Sequence, residues 1–348
     1  MAKIHDGYHD AESARAIAVW LLFCCAMVAA MVVIGGITRL TESGLSMTEW
    51  RPLVGWIPPL GEAEWQRVFD RYRQTSEYRL QFPDMDLDGF RTIFWWEYIH
   101  RVWGRLIGLV FGLPLVWFIV ARRISRPLIP HLVGLFVLGG LQGGLGWWMV
   151  TSGFVDRDDV SQYRLVAHLG LAILILGYLL WLAIGLLAAQ RRAPAPAALR
   201  RLARLVLGAA FLTILSGGLV AGLNAGFVYN TWPLMDGGLL PDGMAALAPW
   251  WLNPLENLAT VQFDHRILAY LTAALVAAFW LKARAASIRR RARRAAHALG
   301  VMLVIQVGLG ISTLLLVVPL PLAVLHQAGA VALFALAVWN IRELGGAR

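Results

Sequence analysis

The sequence predicts an all-α polytopic membrane protein with eight spanning helices, built as two four-helix halves. Three observations predict it. Of 348 residues, 59% are hydrophobic and only 15% are charged, where a soluble chain carries about a quarter charged residues. Eight apolar runs of roughly 20 residues each suffice to cross a ~30 Å hydrocarbon core. Basic residues cluster in alternate connections between those runs, the pattern that orients membrane proteins.

The runs lie at about 17–37, 94–121, 130–150, 164–189, 202–222, 260–281, 296–317 and 321–341. The first follows a polar tail and lacks an A-x-A site, so it reads as a span and not as a cleavable signal. It holds the only cysteines, Cys24 and Cys25. Adjacent helical residues point apart and pair poorly as a disulfide, so both are expected to pack as small apolar side chains. The last two runs are separated by Val318-Pro319-Leu320-Pro321, and two prolines there predict a tight break between helices.

Orientation follows from the short connections. Arg122, Arg123 and Arg126 follow the second run; Arg191, Arg192, Arg200, Arg201 and Arg204 follow the fourth. Lys282, Arg284, Arg289, Arg290, Arg291, Arg293 and Arg294 follow the sixth. The opposite side has no basic residue in 223–259, and only Arg157 among Asp156, Asp158 and Asp159. Both termini are therefore expected in the cytoplasm. The net charge of +10 is this orientation signal, which argues against nucleic acid as a partner. The longest connection, 38–93, lies outside. Its Trp50, Pro52, Trp56, Pro58, Pro59 and Trp65 predict a partly ordered cap with interfacial tryptophans, the alternative being an unstructured loop.

The halves, 1–190 and 191–348, repeat one another. Gly35-Gly36-Ile37 answers Gly217-Gly218-Leu219, and Trp50-Arg51-Pro52-Leu53 answers Trp232-Pro233-Leu234. His100-Arg101 answers His265-Arg266, Gln142-Gly143-Gly144-Leu145-Gly146 answers Gln306-Val307-Gly308-Leu309-Gly310, and His168-Leu169-Gly170 answers His326-Gln327-Ala328-Gly329. An even number of spans per half makes the repeats parallel.

On this topology His100, His168, His265 and His326 fall one to two turns into the second, fourth, sixth and eighth spans, near the outer face. Ionisable groups within spans call for a functional account. One imidazole from each of two helices, at matching depth in a bundle, can grip a haem. Zinc competes, but prefers closer ligand spacing and Cys or carboxylate help. An interhelical hydrogen bond is the bland role for a single membrane histidine. His131 and His297 fall at cytoplasmic helix starts, and His5 and His9 in the polar tail. Gly104, Gly108, Gly112, Gly140 and Gly144 have the spacing that lets helices approach closely or that leaves room for a porphyrin face; packing is the expected role for most.

The halves differ at one telling position. Glu97 precedes His100 by three residues and shares its helix face, whereas Gln262 stands in the second half. A carboxylate beside only one histidine pair assigns proton-coupled chemistry to that site and electron storage or transfer to the other. Arg101 and Arg266 are expected either to neutralise haem propionates through bidentate hydrogen bonds or to pair with Glu97 and Asp264.

Taken together, Gly-Gly-Ile-Thr-Arg-Leu-Thr-Glu-Ser-Gly-Leu-Ser from Gly35, Glu97-x-x-His100-Arg101, Thr231-Trp232-Pro233-Leu234-Met235, Asp264-His265-Arg266 and the later His326 resemble the haem A synthase family. The resemblance covers nearly the whole chain and is nearest to the alphaproteobacterial and mitochondrial branch. Some other bacterial members carry an outer-loop cysteine pair that this sequence lacks. The resemblance implies oxidation of the C8 methyl of haem O to a formyl, through successive hydroxylations and loss of water, giving haem A for cytochrome c oxidase. It implies that His265 and His326 ligate a resident haem b, that His100 and His168 bind the substrate haem, and that Glu97 stands beside the reacting edge. It places the protein in the inner membrane with its haem sites towards the periplasm. It also implies haem O synthase and cytochrome c oxidase assembly factors as partners, together with an electron acceptor that the sequence does not identify. Membrane lipid surrounds such a chain, and its apolar helix faces allow a homo-oligomer. The histidines alone also suit a bis-His cytochrome b relaying electrons to or from quinone, and the repeat alone suits a transporter.

Overall fold

The computed structural model describes residues 11–49, 55–153, 159–187 and 195–345, and its named elements are all helices. In chain order the α-helices are α1 (Ala11–Leu40), the short α2 (Glu62–Tyr72) and α3 (Ser76–Gln81), α4 (Leu87–Val120), α5 (Ile129–Val150) and α6 (Gln162–Leu187). They continue with α7 (Ala197–Gly222), the single-turn α8 (Asn253–Glu256), α9 (Leu258–Ala285), α10 (Arg290–Leu315) and α11 (Leu320–Leu344). All except α2, α3 and α8 are long and apolar enough to cross a membrane. The eight spans predicted from hydropathy correspond to these eight helices among the described residues. Trp50-Arg51-Pro52-Leu53, Asp156, Arg157, Asp158, Arg191, Arg192, His5 and His9 lie outside the described residues.

Several helices outrun their apolar segments, because backbone hydrogen bonding does not stop where hydropathy falls. The first turns of α10 consist of Arg290, Arg291, Arg293 and Arg294 interleaved with alanine, all good helix formers. Helix α4 starts seven residues before its apolar run, where the Asp86 carboxylate accepts the Gly89 N–H at 2.8 Å as an N-cap. Its first turns bury Phe90, Ile93 and Phe94 against Trp65, Phe69 and Tyr72 of α2, with the Trp65 ring edge-on to Phe94 at 4.9 Å. Residues 62–94 thus form an ordered aromatic cluster that includes Trp65 of the cap expected over 38–93. The proline break is also present: α10 ends at Leu315 and α11 begins at Leu320. Val317 and Val318 make that turn at φ 61° and 55°, a left-handed conformation that costs a β-branched residue roughly 1–2 kcal/mol.

Helix α1 packs on α4 and α6, and α5 joins the same two, so α4 and α6 are diagonal in a ring of four. Helix α7 packs on α9 and α11, and α10 joins those two. Three contacts link the rings: α6 with α7, α11 with α1, and α6 with α11. Ile17, Leu21, Ile173, Leu179, Phe334 and Val338 meet in the main core along that seam. Its dispersion contacts are close: Gly36 of α1 faces Gln327 of α11, whose amide donates to the Val32 carbonyl at 2.9 Å, and a Cβ at Gly36 would lie 1.8 Å from the Gln327 Oε1. The outward faces, with Leu113, Val120, Val301 and Val304 exposed, are the surface expected of a multi-pass membrane protein.

Candidate functional site

Each of the four span histidines rests against a glycine on the preceding long helix. A Cβ built at Gly35 would come 3.1 Å from His100 Nε2, one at Gly146 3.0 Å from His168 Cε1, one at Gly217 3.2 Å from His265 Cε1, and one at Gly310 2.8 Å from His326 Cε1. The rings are seated where only backbone lies behind them. His100 and His168, on the diagonal helices α4 and α6, are within electrostatic reach of one another, as are His265 and His326 on α9 and α11. Among the described residues no three His, Cys, Asp or Glu side chains converge as a metal cluster, so the histidines gather in twos.

Depth along the helices is less uniform than the apolar runs implied. His168, His265 and His326 sit about two turns from their helix starts, but His100 sits nearly four turns inside α4. The additional turns belong to the aromatic cap. Spacing glycines divide as well. A Cβ at Gly104 would touch Met31 and one at Gly112 would touch Phe136, whereas Gly108, Gly140 and Gly144 face open space. A Cβ at any of these last three would meet no neighbour among the described residues.

Hydrogen bonds orient the rings. Gln142 donates its amide to the His168 carbonyl at 2.9 Å and lies 3.1 Å from His168 Nδ1. Gln306 repeats both contacts with His326 at the same distances. In each case the glutamine Oε1 is buried without a partner. Ser216 Oγ lies 2.8 Å from His265 Nδ1. No such partner reaches His100 among the described residues. The lower histidines are occupied elsewhere: His131 Nδ1 is 2.6 Å from the Tyr178 hydroxyl, and His297 Nδ1 accepts from the Trp280 indole at 2.9 Å.

Glu97 is 2% exposed and accepts from four donors. Ser46 Oγ and the Met47 N–H reach its Oε2 at 2.7 and 2.6 Å, and Arg101 Nε reaches Oε1 at 3.0 Å with Nη2 closer still. Arg101 also donates to the carbonyls of Glu49 and Met47, each at 2.8 Å. In the second half, Arg266 donates to Gln262 Oε1 at 3.0 Å and to the carbonyls of Tyr229, Thr231 and Leu234, while Gln262 Nε2 donates to the Ala225 carbonyl at 2.8 Å. The arginine four residues on thus fastens the connection preceding its helix in both halves. Arg101 pairs with Glu97, but Arg266 pairs with Gln262 and not with Asp264. The bidentate propionate contact has no free fork to use: of five N–H groups, these bonds leave each arginine one.

The sequence motifs acquire local reasons. Thr231 closes the Thr231-Trp232-Pro233-Leu234-Met235 turn by donating to the Leu234 carbonyl at 2.9 Å and accepting from Asp236 N–H at 2.8 Å, which presents the carbonyls held by Arg266. In the Gly35–Ser46 stretch, Arg39 pairs with Asp159 at 2.5 Å and Ser46 meets Glu97. Sequence reasoning did not single out Ser46 or Ser216, and assigned no role to Gln142 and Gln306. The glutamines carried a signal in their place in a repeated motif, and Ser46 in closing the Gly35–Ser46 stretch.

Fold and site together define a class: an eight-span membrane protein with paired histidines seated on glycine across two helix rings. A family model described as cytochrome oxidase assembly protein matches residues 18–338. The heme A synthase of Nitrosospira multiformis is 52% identical over 333 residues, 95% of this chain and 94% of that protein. That of Nitrosomonas eutropha is 52% identical over 347 residues, 99% and 97% of the two chains, and that of Rhodospirillum centenum is 53% identical over 337 residues, 96% and 90%. The chain belongs to the cytochrome oxidase assembly protein family.

Proposed function

We propose that the chain is a haem A synthase of the inner membrane, oxidising the C8 methyl of haem O to the formyl of haem A. Support comes from relatives of that name matched over nearly the full chain, and from the two glycine-seated histidine pairs. The residues fit porphyrin iron. Two imidazoles per site would be the residues that hold a haem iron, and the orphaned Gln142 and Gln306 oxygens are buried polar atoms beside the rings.

In this reading the halves are duplicated units, residues 1–190 for the substrate haem and 191–348 for a resident haem b. His265 and His326 hold haem b, which when bound supplies one-electron redox chemistry. His100 and His168 hold haem O, with Glu97 beside the reacting edge. Four donors onto Glu97 favour electrostatic stabilisation of positive charge developing on the substrate over uptake of a proton, because protonation would turn an acceptor towards a donor. Arg101 and Arg266 hold the outer connections over the sites, and the single N–H left on each serves a propionate. Haem O synthase supplies the substrate, cytochrome c oxidase assembly factors receive the product, and an acceptor outside the chain takes the electrons.

Glu97 against Gln262 is the observation that carries the division of labour. Gln262 does the same fastening without a charge, but it has the Ala225 carbonyl to take its amide N–H; Glu97→Gln removes the charge and also turns an N–H towards the Ser46 and Met47 donors. Co-expression with a haem O source, followed by chromatography of extracted haems, tests the reading. We expect Glu97→Gln to keep haem b and to lose most haem A. Normal haem A with normal haem b would eliminate a catalytic role for Glu97.

A further inference from the structure

Three of the four histidines have a side-chain partner at Nδ1, and His100 has none among the described residues. Gln142 and Gln306 make matching contacts with His168 and His326, so the second histidine of each pair has the same support. The first does not. Ser216 immediately precedes Gly217, the glycine behind His265; its counterpart before Gly35, the glycine behind His100, is Ile34.

Ser216 Oγ lies 2.8 Å from the Thr213 carbonyl and 2.8 Å from His265 Nδ1; with its one proton on the carbonyl, its oxygen is an acceptor towards the ring. In that arrangement Nδ1 carries the hydrogen, and the Nε2 lone pair is left for a metal. A ligand whose other nitrogen donates in this way is held in orientation and made more basic. Ile34 offers His100 no hydroxyl, and its own carbonyl already accepts from Thr38 Oγ1 at 2.9 Å.

We propose that Ser216 is a positioning residue that makes the haem on His265 a retained one, and that Ile34 at the matching place leaves the haem on His100 exchangeable. This rests on the assignment of resident and substrate haems above. An enzyme whose substrate and product are both porphyrins needs one site that lets go.

Haem release from the purified full-length protein to excess apomyoglobin tests this, together with potentiometric titration of the bound haem b. Loss of metal-ligand support of this kind weakens binding by about 10–100-fold. Ser216→Ala should release haem b at least about tenfold faster and raise its midpoint potential, since a less basic imidazole stabilises ferric iron less; Ser216→Thr, which keeps the hydroxyl, should restore both. In the opposite direction, Ile34→Ser in a His265→Ala background, loaded with ferric protoporphyrin as probe, should slow release from the His100 pair. Unchanged release and potential in Ser216→Ala overturn the proposal, as does unchanged release in Ile34→Ser. Retention of haem b by His265→Ala, with its loss in His100→Ala, overturns the assignment of the pairs and the proposal with it, so the two failures are told apart.

Discussion

Glu97 and Gln262 show how one side-chain atom divides two sites of common design. Both brace an arginine one turn on, and both face an outer connection. The carboxylate accepts everything around it, whereas the amide must also donate, and it does so to Ala225. A second buried acid belongs to the cap. Glu77 is 3% exposed, and its Oε2 and the Tyr72 hydroxyl are both buried without hydrogen-bond partners. Burial foremost, aided by the carboxylates of Glu97, Asp159 and Glu42, pushes its carboxyl from 4.5 up to about 8. The folded cap therefore keeps a proton that the unfolded chain loses above pH about 4.5. Stability contributed here falls as pH rises from there to about 8 and then levels off. Comparing melting temperatures at pH 5.5 and 8.5 should show the wild type losing stability relative to Glu77→Gln over that interval.

Between residues and molecule, the helices act as seats. Glycine on the preceding helix sets how near an imidazole can come, and the fit at Gly310 is the tightest of the four. Gly310→Ala improves helix propensity yet drives a methyl into His326, an overpacking of roughly 1–3 kcal/mol. We expect it to lower the Soret absorbance retained per protein, while Gly308→Ala, which meets nothing within 4 Å, should not. Helix α4 has a double role: its first turns bury Phe90, Ile93 and Phe94 in the cap, and its next turns carry Glu97, His100 and Arg101. Cap and site are therefore mechanically continuous, which no hydropathy run could reveal because the aromatic turns lie outside it.

At the scale of the molecule, helices α1, α6, α7 and α11 join the two rings. Gly36→Ala should push the Gln327 amide aside and cost its hydrogen bond to Val32, about 1 kcal/mol. In a double-mutant cycle with Gln327→Ala, followed by thermal melting in detergent, the two losses should fall well short of additive. The basic connections predict cytoplasmic termini, so a fluorescent protein fused after Arg348 should fluoresce, and a periplasm-dependent phosphatase at the same point should be inactive.

Sequence alone determined the eight apolar helices, the break at Val318-Pro319-Leu320-Pro321 and the positions of the four histidines. Those features are written in composition and spacing, and a bilayer admits few other arrangements of such segments. The family was legible from the same motifs. Tertiary structure decided the contacts of each group: that glycines seat the imidazoles, that Arg101 and Arg266 are spent on outer carbonyls, and that Ser216 reaches His265. Such contacts join residues on different helices and depend on ångström-scale approach, which periodicity along one chain does not encode.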